Sequence, residues 1–145
     1  MHSVFRQAVL EDVLQMTRIR LAVTENVLRD SSRVTRQMYE DFLEKDGRGW
    51  VAQVDGETVA FSYASRLDGS IWALFVAPRF EGLGLGRPLL ALATGWLFSL
   101  GFTRVTLSTG IGTRAEKFYA RLGWRRDMTR SDEAHFVLDA PSISQ

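Results

Sequence analysis

The sequence predicts an α/β fold, a mixed and mostly antiparallel sheet flanked by helices on both faces, and three observations carry that prediction. Two Asp-Gly dipeptides, Asp55-Gly56 and Asp68-Gly69, separate three consecutive β-rich runs, as in hairpins. Segments of helical apolar spacing lie before and after those runs. A strand ending at Val76 passes through three alternating glycines into an apolar helix. The expected order is β-α-α-β-β-β-α-β-α-β-β in a single domain spanning residues 1–145.

Taken in order, Val4 to Val9 is short, apolar and partly alternating, a first strand. Leu10, Val13, Leu14, Thr17 and Leu21 then recur at helical spacing, with Glu11 and Asp12 in the first turn where carboxylates suit the helix dipole. That helix is expected to run to about Asn26. Leu28 to Arg33 is a polar connection, and Thr35 can cap a second helix turning Met38, Phe42 and Leu43 inward. Trp50 to Val54, Glu57 to Ser65 and Ile71 to Val76 are the three antiparallel strands. Pro88 suits a first helical turn, and Leu89, Leu92, Ala93, Trp96 and Leu100 line one face of a helix that Gly101 ends. Arg104 to Ser108 is a fifth strand and Thr113 to Leu122 a short helix closed by Gly123. Trp124 to Thr129 and Ala134 to Leu138 form a closing antiparallel pair around Ser131-Asp132.

Composition narrows the function classes. The chain has 145 residues, no cysteine and two histidines, which excludes thiol catalysis, zinc ribbons and iron–sulfur clusters and leaves no metal implied. Met1 to Arg6 lacks the basic-then-apolar layout of a secretory signal. The most apolar stretch, Leu89 to Leu100, is broken by Thr94, Gly95 and Ser99 and is too short to span hydrocarbon, so no membrane partner is expected and the cytoplasm is the expected location. Charge is unevenly placed: residues 1–78 carry a net −2, residues 79–130 a net +6 and residues 131–145 a net −3. A basic segment in a nearly neutral chain suits a small anionic ligand better than nucleic acid. Arg125 and Arg126, adjacent on one strand, point to opposite faces and form no patch. Trp72, Phe75, Trp96 and Phe98 are expected in the core, while Trp50 and Trp124, at strand starts, could floor a cleft.

The sharpest feature is the run from Val76 through Pro78 and Glu81-Gly82-Leu83-Gly84-Leu85-Gly86-Arg87 to Pro88. Glycines let the backbone approach a bulky anion, and loop amides with the free amides of the helix start then point at it. The spacing is not G-x-G-x-x-G, no acidic residue ends the next strand, and Arg87-Pro88 stands where a Walker loop needs Lys-Ser/Thr. Dinucleotide binding and nucleotide hydrolysis are both disfavoured.

In these residues the chain resembles the GCN5-related N-acetyltransferase (GNAT) superfamily. The acetyl-CoA motif of that family runs from a strand ending in Val-x-Pro through Gln/Arg-x-x-Gly-x-Gly/Ala into a helix, matched by Val76, Pro78, Gly84 and Gly86, with Glu81 at the Gln/Arg position. A second match, to Asn-x-x-Ala-x-x-Phe-Tyr-x-x-x-Gly-Phe, comes from Ala115, Phe118, Tyr119, Gly123 and Trp124, with Gly112 replacing Asn. The resemblance implies acetyl-CoA as co-substrate, held by Leu74, Phe75 and Val76 of a strand splayed from its neighbour and by Glu81 to Arg87. It implies transfer of acetyl to a primary amine, in a small molecule or peptide, by direct attack in a ternary complex. Tyr119 would be the general acid for the departing thiolate, and a backbone N–H near Phe75 or Val76 would hold the oxyanion. Glu25, Asp127 and His135 are candidates for the acceptor side, and dimerisation is common in the family. Arg79 or Arg87 could offset the Glu81 charge. Because Glu81 and Gly112 depart from the motifs, the alternative is a catalytically inactive CoA-binding regulatory module.

Overall fold

A computed structural model describes residues 2–23, 37, 41–130 and 133–141, the side chains of 42, 44 and 128–130 excepted. Seven strands form one sheet: β1 (Ser3–Gln7), β2 (Gly47–Val54), β3 (Glu57–Ser65), β4 (Ser70–Val76), β5 (Arg104–Gly110), β6 (Arg125–Arg130) and β7 (Glu133–Asp139). Their spatial order is β1-β2-β3-β4-β5-β7-β6, antiparallel throughout except where β4 meets β5. Three α-helices are described, α1 (Val13–Ala22), α2 (Gly86–Ser99) and α3 (Arg114–Arg121). The expected second helix falls partly on residues 24–36 and 38–40, outside the described residues; its end, Phe42–Asp46, is a π-helical turn whose Leu43 packs against the α1 side of the sheet.

Each face has its own core. On one side α2 and α3 cover Val59, Ala60, Val105, Leu107, Ala134 and Phe136 with Leu89, Ala93, Leu97 and Tyr119. On the other, Val13, Met16 and Ile19 of α1 pack on Val51, Phe61 and Tyr63. The Asp55-Gly56 hairpin has the two positive φ values expected, 50° and 88°, whereas in the second turn Gly69 alone turns positive.

The helix faces differ from those read off the spacing. In α1 the buried positions are Val13, Met16, Ile19 and Arg20, while Leu10, Leu14 and Leu21 are exposed. The helix is apolar on two sides, so spacing alone cannot choose its rotation. Asp12 chooses it: its carboxylate accepts two hydrogen bonds from the Arg6 guanidinium on β1, both 2.8 Å, and one from the Val9 amide, pinning the helix start to the first strand. In α2, Leu90, Thr94 and Leu97 are buried in place of Leu92 and Leu100, which are exposed. Trp96 is half-buried and meets buried Trp50 edge-on at 5.9 Å, so Trp50 belongs to the core and not to a cleft floor. Trp124 is likewise buried, against Tyr119.

One irregularity positions the site. β3 and β4 pair Ala64 with Ile71 but Tyr63 with Ala73, which leaves Trp72 as an extra, bulged residue. Contrary to its expected core role, Trp72 is 39% exposed. Ile71 joins the α2 core and Ala73 the α1 core, so the bulge also switches the faces of the strand. β4 and β5 register at one pair, Ser70 with Thr106, and part beyond it.

Candidate active site

The parting of β4 from β5 opens a groove of about 670 Å³. One wall is Leu74, Phe75 and Val76 of β4 with Phe80, Glu81, Gly82, Gly84, Leu85, Gly86 and Arg87 of the loop; the other is the start and inner face of α3, from Thr113 through Phe118 and Tyr119 to Leu122. Every strand and loop residue expected to hold a cofactor lies here except Leu83, which is 47% exposed and outside the groove lining.

Backbone direction along β4 follows from one bond. The Ala77 amide donates to the Val59 carbonyl of β3 at 2.8 Å, and in an extended strand amides alternate sides. The Phe75 amide therefore turns to β3, and those of Leu74 and Val76 face the gap. Of the two positions expected to offer an N–H to an oxyanion, only Val76 has the right direction, and Leu74 joins it.

The loop presents amides in the same space. Gly82 and Gly84 take φ of +80° and +81°, and nothing lies within 4 Å of a Cβ added at either, so conformation and not crowding requires glycine. Gly86 is the first residue of α2, and no side chain caps that terminus. Its first amides stay available to an anion.

The charge on this rim is arranged differently from expectation. Glu81 forms an ion pair with Arg114 across the groove. Arg79 pairs instead with Glu57 and lies over Phe80, so it does not offset Glu81. Arg87, Arg114 and Arg121 all line the groove, which leaves its lining net positive. Sequence reasoning missed Arg114, although a signal for the helix start that carries it was present: Thr113-Arg114-Ala115-Glu116 has the spacing of a capping box. Thr113 Oγ1 accepts from the Glu116 amide at 3.3 Å, and Glu116 Oε1 accepts from the Gly112 amide at 2.8 Å. Glu116 also pairs with Arg126 of β6, so the turn where Gly112 replaces Asn is held by the helix itself.

Tyr119 lies at the inner end, buried and packed edge-on against Phe118 at 5.3 Å and Trp124 at 5.8 Å, with Phe136 tilted against it at 5.8 Å. Burial pushes its phenol well above the ordinary tyrosine value. The hydroxyl keeps its proton across the physiological range.

The acceptor-side candidates divide. Glu25 lies outside the described residues. Asp127 and His135 share a register position: between the pairs Arg126 with Phe136 and Thr129 with Ala134, the β6 bulge of residues 127 and 128 stands opposite His135. On its other side His135 faces Ser108 of β5. Ala134 and Phe136 point to the α2 and α3 core, so His135 points to the opposite face. Its Nε2 is buried without a hydrogen-bond partner among the described residues, and the nearest carboxylate oxygen, of Glu133, is 3.9 Å away. Asp127 is exposed. Among the described residues no three His, Asp or Glu side chains cluster as metal ligands, and no helix is long and apolar enough to cross a membrane.

The sequence pattern of the acetyltransferase (GNAT) family matches residues 11–124. Solved structures share the fold at low identity. The PaiA N-acetyltransferase of Thermoplasma acidophilum, solved with coenzyme A, superposes with a TM-score of 0.80 at 14% identity, over 97% of this chain and 100% of that one. The ribosomal-protein-S18-alanine N-acetyltransferase of Escherichia coli gives 0.79 at 14%, over 99% and 97%. Ard1 of Thermoplasma volcanium gives 0.80 at 17%, over 98% and 100%. No protein of curated function matches the chain.

Proposed function

The chain belongs to the acetyltransferase (GNAT) family, and from that premise we propose that it transfers acetyl from acetyl-CoA to a primary amine of a small molecule or peptide by direct attack in a ternary complex. The observation that carries the reading is the groove itself: a strand edge freed by the Trp72 bulge, glycines at positive φ, uncapped helix amides and a net positive rim meet along one channel. These features fit CoA. The amides of Gly84 to Arg87 would hold its pyrophosphate, and the free edge of Leu74 and Val76 would pair with its pantetheine amides.

Bound acetyl-CoA supplies an activated thioester. The chain does the rest. The Val76 amide, fixed in the strand and turned to the gap, stabilises negative charge on the acyl oxygen. Tyr119 donates its phenolic hydrogen to the departing sulfur, and the proton that the attacking amine sheds passes through water and restores the phenol. Burial keeps the phenol protonated and therefore able to donate. The amine would approach from the sheet face that His135 shares with α1.

Thiol release from acetyl-CoA against a panel of amines tests the reading. Acceptor-dependent release supports it, and CoA binding without release under any amine favours the regulatory-module alternative. The dependence of CoA binding on the groove's glycines is common to both readings.

A further inference from the structure

Glu81 and Arg114 stand on opposite walls of the groove. Glu81 ends the turn that follows β4, Arg114 is the first residue of α3 after β5, and their side chains meet in an ion pair. The carboxylate is the sheltered partner, 25% exposed, and the guanidinium the accessible one, 70% exposed. Both line the channel beside Gly82 and Gly84. A carboxylate at this corner would repel any phosphate drawn by the loop amides, and Arg114 is the cation that neutralises it.

We infer that Arg114 binds a phosphate of CoA, and that Glu81 is its internal counter-ion, which the phosphate displaces. The inference rests on reading the groove as the CoA site. A guanidinium offers a planar fork of donors suited to a phosphate as well as to a carboxylate, and the phosphate brings more charge and more acceptor oxygens. Its exposure lets it change partners without moving the helix that carries it. The exchange costs one ion pair and gains another, so Glu81 lowers affinity below what the same groove would reach without it. That favours release of spent CoA. The site then does not need the Gln or Arg of the family motif at position 81, because the cation comes from the opposite wall.

Calorimetric titration of CoA into the wild-type chain, Glu81→Gln, Arg114→Gln and the double variant tests this, with thermal melts confirming that each is folded. Arg114→Gln should weaken CoA binding about tenfold or more, since it removes a charged contact to the phosphate. Glu81→Gln should tighten it several-fold, with the gain shrinking at high salt. The Arg114→Gln penalty should be larger in the Glu81→Gln background than in wild type, because there the guanidinium gives up no ion pair to take the phosphate. If Glu81→Gln weakens binding as much as Arg114→Gln, the pair is a strut that must persist, and the displacement is wrong. If Arg114→Gln changes nothing, Arg114 is no phosphate ligand. A wild-type chain that binds no CoA would overturn the function proposed above, whereas binding with unaffected variants would overturn this inference alone.

Discussion

Ser70 of β4 registers with Thr106 of β5, and the Thr106 amide donates to the Gly69 carbonyl at 3.1 Å; after this meeting the two strands separate around the groove. The separation begins where Trp72 is inserted. Deleting Trp72 would let Ile71 and Ala73 follow each other in regular register with Ala64 and Tyr63. β4 should then continue along β5, and CoA affinity should fall by about tenfold or more, as strand-edge hydrogen bonds and groove width are lost together. Calorimetry with CoA, alongside circular dichroism to confirm the retained sheet, measures this; native affinity in the folded deletion would show that the bulge does not make the site.

Gly84→Val places a β-branched residue at φ +81°, a conformation strongly disfavoured for it. The space around the new Cβ is open in the protein alone, so the fold should survive with a modest loss of melting temperature. CoA affinity should drop by roughly tenfold or more, because the valine occupies the side from which an anion approaches the amides. Gly84→Ala should lose less.

Tyr119→Phe keeps the ring contacts with Phe118, Trp124 and Phe136 and removes only the hydroxyl. Folding and CoA affinity should be nearly unchanged. Turnover should fall by about 100- to 10,000-fold in kcat and kcat/KM together, the range for a lost general acid. Single-turnover acetyl transfer must be followed as well, since slow product release would hide part of the loss. Wild-type single-turnover rates in the variant would leave Tyr119 a packing residue.

Asp12 carries a pH dependence of stability. Burial pushes its carboxyl up, but the Arg6 guanidinium and the Val9 amide outweigh that and hold it below the ordinary carboxylate value. A group depressed in the folded state stabilises above its unfolded pKa, about 3.9 for Asp, and the contribution disappears as pH falls through the folded value. Asp12→Asn should cost about 1–2 kcal/mol at pH 7, discounted because Arg6 is partly exposed. The gap between variant and wild type in urea midpoints should close as pH falls from the unfolded value through the lower folded one. A gap independent of pH would mean that shape, and not charge, sets the helix start.

Local chemistry made much of this protein legible in its sequence. Asp55-Gly56 needs no partner to bend the chain, and Gly82, Gly84 and Gly86 announce a backbone prepared for an anion wherever the rest of the chain goes. The element order and the groove-lining residues of β4 and the loop followed from such signals. The rotation of α1 did not, because the helix has two apolar sides and the choice between them lies in a contact from Asp12 back to Arg6 on another element. Trp72 reads as an ordinary strand residue, and only its pairing with β3 makes it the bulge that frees an edge. Glu81 and Arg114 are 33 positions apart, and Asp127 stands opposite His135 only through a register shift between β6 and β7. A sequence states backbone preferences residue by residue, whereas the partner of a long charged side chain and the register of an irregular strand are settled by the summed packing of the whole sheet.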